Sequence, residues 1–141
     1  MRIADVLRNK GTGVVTVGPS ATVTELITAL TDHNIGALPV VDGGHLVGIV
    51  SERDVVRRLH ANGPSALSAT VADLMTTGVV TCAPDDDAAG LAGIMTERRF
   101  RHLPVVVDGE LVGIVSIGDL VKARIDMLEQ EREQLQSYIA G

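Results

Sequence analysis

Two segments of the chain place a hydroxyl and a carboxylate at the same spacing, Ser51-x-x-Asp54 and Ser116-x-x-Asp119. Each segment follows an apolar run typical of a buried strand and opens a stretch with helical periodicity. A helix N-terminus offers free N–H groups to a phosphate, and a carboxylate one turn later can accept hydrogen bonds from both hydroxyls of a ribose. The same residue types also form an ordinary helix cap. A single copy therefore supports both a binding and a capping interpretation.

The two segments belong to a repeat with an offset of 65 residues. The stretch from Leu38 to Asp54 matches the stretch from Leu103 to Asp119 at 12 of 17 positions without a gap. A repeat of this length indicates a duplicated structural unit. Domain boundaries at 1–65 for the first repeat, 66–127 for the second and 128–141 for an extension follow from it.

Each unit has the pattern strand, helix, strand, strand, helix, preceded by a short helical turn. For the first unit we predict a turn at 3–7, a strand at 14–17, a helix from Thr22 to about His33, strands at 37–41 and 45–50, and a helix from Ser51 to about 62. The fold class is therefore α/β (α+β), with two β-α-β-β-α repeats. The last helix continues to about Tyr138 and carries a 4-3 apolar pattern. That extension is interpreted either as a solvated amphipathic helix or as a self-association helix, with disorder as a third alternative.

Composition limits the class of protein. The chain has 141 residues, so each half is too small to be stable alone and we expect the halves to share a core. A net charge of −6 argues against nucleic-acid binding. No apolar run is long enough to cross a bilayer and no secretory signal is evident, so we expect a soluble cytoplasmic protein. The single cysteine, Cys82, aligns with Val17 and is interpreted as a core residue rather than a reactive thiol. None of the histidines has a partner at metal-ligand spacing.

Two copies of a Leu-Pro-Val-Val strand, a glycine turn and Gly-Ile-Val-Ser-x-x-Asp resemble a tandem pair of CBS (cystathionine-β-synthase) domains, the Bateman module, in its stand-alone form. The resemblance covers residues 1 to about 127. It implies two units related by a pseudo-twofold axis and a central cleft that binds AMP, ADP or ATP, and in some members NAD or S-adenosylmethionine. It also implies a flat homodimer.

Carried over by position, the resemblance implies a role for each of sixteen residues. Ribose hydroxyls would be held by Asp54 and Asp119, and ribose or phosphate would be contacted by Ser51 and Ser116. One wall of the adenine slot would be formed by the backbone of Thr16, Val17, Thr81 and Cys82, and the other by Ala37, Leu38, Pro39, His102, Leu103 and Pro104. Phosphates would be bound by Arg101 with His102, and by Arg53. For the basic residues around Arg101, a solvated surface remains the alternative.

The halves differ at these positions. Gly36-Ala37 in the first half corresponds to Arg101-His102 in the second, and Glu52-Arg53 corresponds to Ile117-Gly118. We therefore expect unequal phosphate contacts, with one site weak or empty.

We expect a non-enzymatic module that senses adenine nucleotides and modulates an unidentified partner protein, with no metal and no catalytic cofactor. The alternative is a structural dimerisation scaffold whose cleft is vacant. An enzyme acting on the bound nucleotide is a third alternative, and the sequence argues against it because nothing pairs a nucleophile with a base.

Overall fold

Each repeat folds around a two-stranded hairpin that is followed by a helix. The computed structural model describes residues 1–11 and 13–140. The helices are α1 (Ile3–Lys10), α2 (Val23–Asp32), α3 (Glu52–Asn62), α4 (Val71–Leu74), α5 (Ala88–Arg98) and α6 (Ile117–Ala140). The strands are β1 (Ala37–Asp42), β2 (His45–Ser51), β3 (His102–Val107) and β4 (Glu110–Ser116), and a 3₁₀ helix at Gly63–Ser68 follows α3.

The two hairpins have the same internal register and meet at one point. Leu38 pairs with Val50 in the first hairpin and Leu103 with Val115 in the second, and each first strand has an irregularity at the same place. The strand order is β1-β2-β4-β3, and β2 joins β4 through the single pair His45–Glu110. The predicted mixed fold with two repeats related by a pseudo-twofold axis is confirmed.

The predicted strand at 14–17 is wrong in extent, because only Val17 forms a bridge, to Val40 of β1. The Val17 N–H donates to the Pro39 carbonyl at 3.1 Å, and the Val17 carbonyl accepts from Val41 at 3.0 Å. A longer parallel ladder would need N–H donors at Pro39 and Pro19, which proline lacks. The second half repeats this arrangement with Cys82 and Val105, between Pro104 and Pro84. Proline therefore limits each ladder to one bridge.

The core consists of two clusters rather than the one shared core that we expected, and the halves exchange helices between them. Ile3 and Val6 of α1 lie in the cluster of the second half, and Val71 of α4 lies in the cluster of the first. Main-chain hydrogen bonds fix both exchanges: Ala4 donates to Pro84 at 2.9 Å, and Ala72 donates to Pro19 at 3.0 Å. Each half is thus completed by the other.

Gly48 and Gly113 are required by this exchange. A Cβ at Gly48 would lie 2.9 Å from the Thr76 carbonyl oxygen, and a Cβ at Gly113 would lie 2.7 Å from Leu7 Cδ2. Both neighbours come from the segment exchanged from the other half. The atoms that approach these glycines closely therefore belong to the protein itself.

The sequence predicts the C-terminal end of α6 correctly but not that of α1. Helix α1 extends to Lys10 rather than ending near residue 7. Helix α6 runs unbroken to Ala140, as the periodicity predicts, and residues 128–140 are exposed along their whole length. Within the described part of the chain, no helix has the length and apolar character needed to span a membrane.

Candidate functional site

Both Ser/Asp pairs form capping boxes at the start of their helices. In the first, the Ser51 N–H donates to Asp54 Oδ2 at 2.8 Å, and the Asp54 N–H donates to Ser51 Oγ at 3.3 Å. In the second, the corresponding distances for Ser116 and Asp119 are 2.9 and 3.0 Å. The capping interpretation is therefore confirmed. It does not exclude a ligand, because the hydrogen bonds that each carboxylate accepts from described residues all end on Oδ2, and Oδ1 remains open.

Lys10 makes the two carboxylates unequal. Its Nζ donates to Asp119 Oδ2 at 2.8 Å and to the Ile114 carbonyl at 2.9 Å. Burial raises the pKa of Asp119, but hydrogen bonds from Lys10 and from the Ser116 N–H outweigh burial, and the pKa lies below its ordinary value. Asp54 has no ammonium partner among the described residues.

Each Ser/Asp pair follows a strand that lines a cavity with the entry segment of the other half. A cavity of about 320 Å³ lies between Gly11, Gly13 and Val14 on one side and residues 112–114 of β4 on the other. Its counterpart, of about 290 Å³, is bordered by Gly78 and Thr81 of the second half and by Leu46 of β2. These volumes are at the lower limit for small-molecule sites. Thr81 thus lines the second cavity together with β2, whereas Thr16 lies outside the residues that line the first.

The residues expected to form the adenine slot fall into three groups. Thr16 and Thr81 are exposed. Val17 and Cys82 use their N–H groups in the single-bridge ladders, so only the second lone pairs of their carbonyls remain for a ligand. The opposite wall is deeply buried except for the half-buried His102, and its buried members are Ala37, Leu38, Pro39, Leu103 and Pro104.

Cys82 lies in the core of the second half, with 5% of its surface exposed. Burial raises the pKa of its thiol to about 11, with a smaller contribution from Asp86. The prediction that Cys82 is a core residue is confirmed.

Three arginines from both halves line a further cavity of about 390 Å³. Arg53 stands at the start of α3, while Arg99 and Arg101 follow α5. No carboxylate within the described residues forms an ion pair with any of them. Such a group of unpaired guanidinium groups is suited to a phosphate or diphosphate. The sequence predicts phosphate binding for Arg53 and Arg101. Only the fold shows that Arg99 lines the same cavity and that Arg98 does not.

His102 stands where the halves meet. A Cβ at Gly36 would lie 3.4 Å from Glu52 Oε1 and 3.8 Å from His102 Cε1, so the first half contributes Gly36 and Glu52 to the surroundings of His102. Burial, and then the charge of Lys10, lower the pKa of His102, against smaller opposing effects of Asp119 and Glu52. Lys10 and Glu52 were missed as site residues, because nothing in their local sequence predicts contact across the halves.

No group of three or more His, Cys, Asp or Glu side chains suited to a metal ion occurs in the part of the chain that the structure describes.

Comparison with known proteins gives a consistent family. A family model described as the CBS domain matches residues 3–61 and 71–126. The CBS domain-containing protein CBSX3, mitochondrial, of Arabidopsis thaliana is 36% identical over 148 residues, which cover 99% of this chain and 72% of the plant protein. The crystal structure of the CBS-domain containing protein ATU1752 from Agrobacterium tumefaciens has 44% identity and a TM-score of 0.84, covering 88% of this chain and 99% of that one.

Two further similar structures contain adenosine compounds. The CBS domain pair of protein MJ0100, in complex with 5′-methylthioadenosine and S-adenosyl-L-methionine, is 29% identical with a TM-score of 0.80, covering 90% of this chain and 98% of that chain. CBSX2 in complex with AMP is 29% identical with a TM-score of 0.74, covering 89% of this chain and 97% of that chain.

Proposed function

This chain belongs to the CBS-domain family, and from that premise we propose that it is a regulatory module that binds an adenine nucleotide in the clefts between its two halves. The observation that carries the proposal is the pair of Asp54 and Asp119 carboxylates. Each is held by its own capping box, accepts no hydrogen bond on Oδ1 from the described residues, and follows a strand that lines an inter-half cavity. Asp119 itself lines a further cavity of about 250 Å³ with Lys10. A fixed carboxylate with a free oxygen is suited to the hydroxyls of a ribose.

The choice of an adenosine ligand is supported by the related structures. MJ0100 and CBSX2 hold compounds that share adenosine and differ in what is attached at its 5′ position. For this chain we propose AMP, ADP, ATP or NAD, since Arg53, Arg99 and Arg101 offer unpaired positive charge to phosphates.

Regulation follows from the position of the clefts. A ligand that bridges the two halves stabilises one relative arrangement of them, and a partner protein that reads that arrangement is regulated in turn. In this proposal the module performs no chemical step, and a catalytic domain or transporter elsewhere responds to it. We keep the cytoplasm as the predicted location, although the plant relative is mitochondrial by name.

A second candidate function is a dimerisation scaffold with vacant clefts. Two observations favour it: helix capping alone accounts for both Ser/Asp pairs, and Lys10 already occupies Asp119. A groove between α5 and α6, lined by apolar side chains including Met1, Leu120 and Ile125, offers a surface for a homodimer contact. Thermal unfolding with AMP, ATP, NADH and S-adenosylmethionine separates the two functions. A rise in midpoint supports the sensor, and no shift with any of them in an intact dimer supports the scaffold.

The ribose assignment is tested by Asp119→Ala. We expect AMP binding at this cleft to weaken at least tenfold, measured by titration calorimetry, because the hydroxyls lose their acceptor. The variant also loses a helix cap, worth about 1 kcal/mol. Asp73→Ala is the matched control, since Asp73 accepts a hydrogen bond from the Thr70 N–H at 3.1 Å in a capping box of α4. Equal affinity in the Asp119 variant and the control would contradict the assignment.

A further inference from the structure

Lys10 reaches the second Ser/Asp pair from the end of the exchanged helix α1. Its Nζ donates two hydrogen bonds, to the Asp119 carboxylate at 2.8 Å and to the Ile114 carbonyl at 2.9 Å. The side chains of Lys10 and Asp119 are 40% and 27% exposed, and together they line a cavity of about 250 Å³ with Asn9, Lys122 and Asp126. Lys10 also lines the inter-half cavity beside β4. A ligand entering this cleft therefore meets the ammonium group at the carboxylate that the ribose needs.

The first half has no counterpart to this contact. There the main chain of Thr76 lies against β2. The Ile49 N–H donates to the Thr76 carbonyl at 3.0 Å, and the Thr76 N–H donates to the Ile49 carbonyl at 2.9 Å. Ile49 corresponds to Ile114 in the repeat. The Ile49 carbonyl accepts a hydrogen bond from the Thr76 N–H, whereas the Ile114 carbonyl accepts one from the Lys10 ammonium group. The corresponding loop of the second repeat, Thr76–Gly78, contains no lysine, so it offers Asp54 no ammonium group. The Asp119 cleft therefore carries a positive charge beside its carboxylate, and the Asp54 cleft does not.

We propose that Lys10 is a specificity-determining residue, which makes the Asp119 cleft select adenosine ligands that carry a 5′-phosphate over uncharged or cationic ones. The proposal rests on the proposed nucleotide-binding function. A ribose whose two hydroxyls use both carboxylate oxygens of Asp119 competes with Lys10 for Oδ2, and the ammonium group then needs another acceptor. A phosphate supplies an anionic acceptor, adenosine supplies no anion, and the sulfonium of S-adenosylmethionine adds a like charge.

The other charged groups around the cleft favour the same selection. Arg101 lies next to His102, both Lys10 and Arg101 act electrostatically on that imidazole, and the opposing negative groups are Asp119 and Glu52. Lys122 and Asp126 also line the cavity that holds Lys10 and Asp119, and their opposite charges offset each other. A ribose hydrogen-bonded to Asp119 Oδ2 leaves the Lys10 ammonium group without that acceptor, and a 5′-phosphate supplies a new one. The Asp54 cleft lacks the lysine and is expected to discriminate less.

The experiment compares AMP with adenosine by titration calorimetry in a chain with only one intact cleft. In an Asp54→Ala background, which leaves the Asp119 cleft, we expect AMP to bind at least tenfold tighter than adenosine. Adding Lys10→Met should reduce this ratio about tenfold, whereas Lys10→Arg should retain it. In an Asp119→Ala background, Lys10→Met should leave the ratio unchanged.

The ratio separates selection from a structural role, since a damaged fold weakens both ligands together. An unchanged ratio in the Asp54→Ala, Lys10→Met double variant would overturn the role of Lys10 while leaving the nucleotide-binding function intact. An equal fall in the Asp119→Ala background would also overturn it. Failure of the wild-type chain to bind any of AMP, ADP, ATP and NAD would overturn the proposed function itself.

Discussion

Single side chains at the junction of the halves take their properties from partners in both repeats. His102 is half-buried, and the groups that act on its imidazole are Lys10 and Glu52 from the first repeat and Asp119 and Arg101 from its own. The corresponding residue of the first half is Ala37. The histidine is therefore a charge-sensitive contact that only one cleft possesses.

The lowered pKa of His102 predicts how stability depends on pH. In the unfolded chain the imidazole takes up a proton near pH 6.5, but in the folded protein it resists protonation until a lower pH. The unfolded state thus binds more protons in this window, so the unligated protein should lose stability as pH falls below about 6.5, and the loss should level off below the folded pKa. Urea midpoints at pH 7.5, 6.5 and 5.5 measure this. His102→Ala should reduce the slope, and an equal slope in that variant would contradict the assignment.

Cys82 gives a second prediction at this scale. With a pKa of about 11, about 0.1% of the thiol is ionised at pH 8, against about a quarter for a free cysteine of pKa 8.5. We expect an aromatic disulfide reagent to react at least a hundredfold more slowly with the native protein than with the chain in urea. Comparable rates, in a sample shown to be folded, would place the thiol at the surface.

At the scale of elements, the exchanged segments pack against glycines. Gly48→Ala places a methyl group 2.9 Å from the Thr76 carbonyl oxygen, which is main chain and cannot turn away. Gly113→Ala places one 2.7 Å from the end of the Leu7 side chain, which can change rotamer. We expect both variants to be destabilised by about 1–3 kcal/mol, and Gly48→Ala more than Gly113→Ala, in urea unfolding.

Gly93→Ala is the control for these two variants. Gly93 lies inside α5, and a Cβ there would meet nothing within 4 Å. Alanine is the better helix former, so this variant should gain about 1 kcal/mol. A loss of stability at Gly93 as large as the loss at Gly48 would show that the close approach of the exchanged segment is not the cause.

At the scale of the whole molecule, α6 projects beyond the body of the protein. Leu128, Leu135 and Ile139 are 46%, 63% and 82% exposed, so the predicted apolar stripe has no partner within the described chain. The structure is thus compatible with both earlier interpretations of the tail, a solvated helix and a self-association helix, and it removes disorder as an account of residues 128–140.

Deletion of residues 129–141 tests which interpretation holds. If α6 joins two subunits, the deletion removes Leu135 and Ile139 from the contact and should shift sedimentation toward the monomer at micromolar concentration. Glu131→Ala is a suitable control, because it changes an exposed polar residue of the same segment and leaves the apolar stripe intact. Unchanged sedimentation of the deleted chain would identify a solvated helix.

The amino-acid sequence by itself determined the features that depend on neighbouring residues. The 65-residue repeat, the hairpins at Leu38–Val50 and Leu103–Val115, both capping boxes and the burial of Cys82 are all readable from periodicity, turn glycines and cap residues. Even the shortened ladder at Val17 has a local cause, the two prolines Pro19 and Pro39.

Only the tertiary structure decided which parts of the two repeats come together. Lys10 and Asp119 are 109 residues apart, and their contact depends on α1 packing into the core of the other half. The grouping of Arg53 with Arg99 and Arg101 has the same origin. A repeat specifies two similar units, but the exchange of helices between them depends on side-chain packing across the whole chain. No local pattern records that packing, and it is what makes the two clefts different.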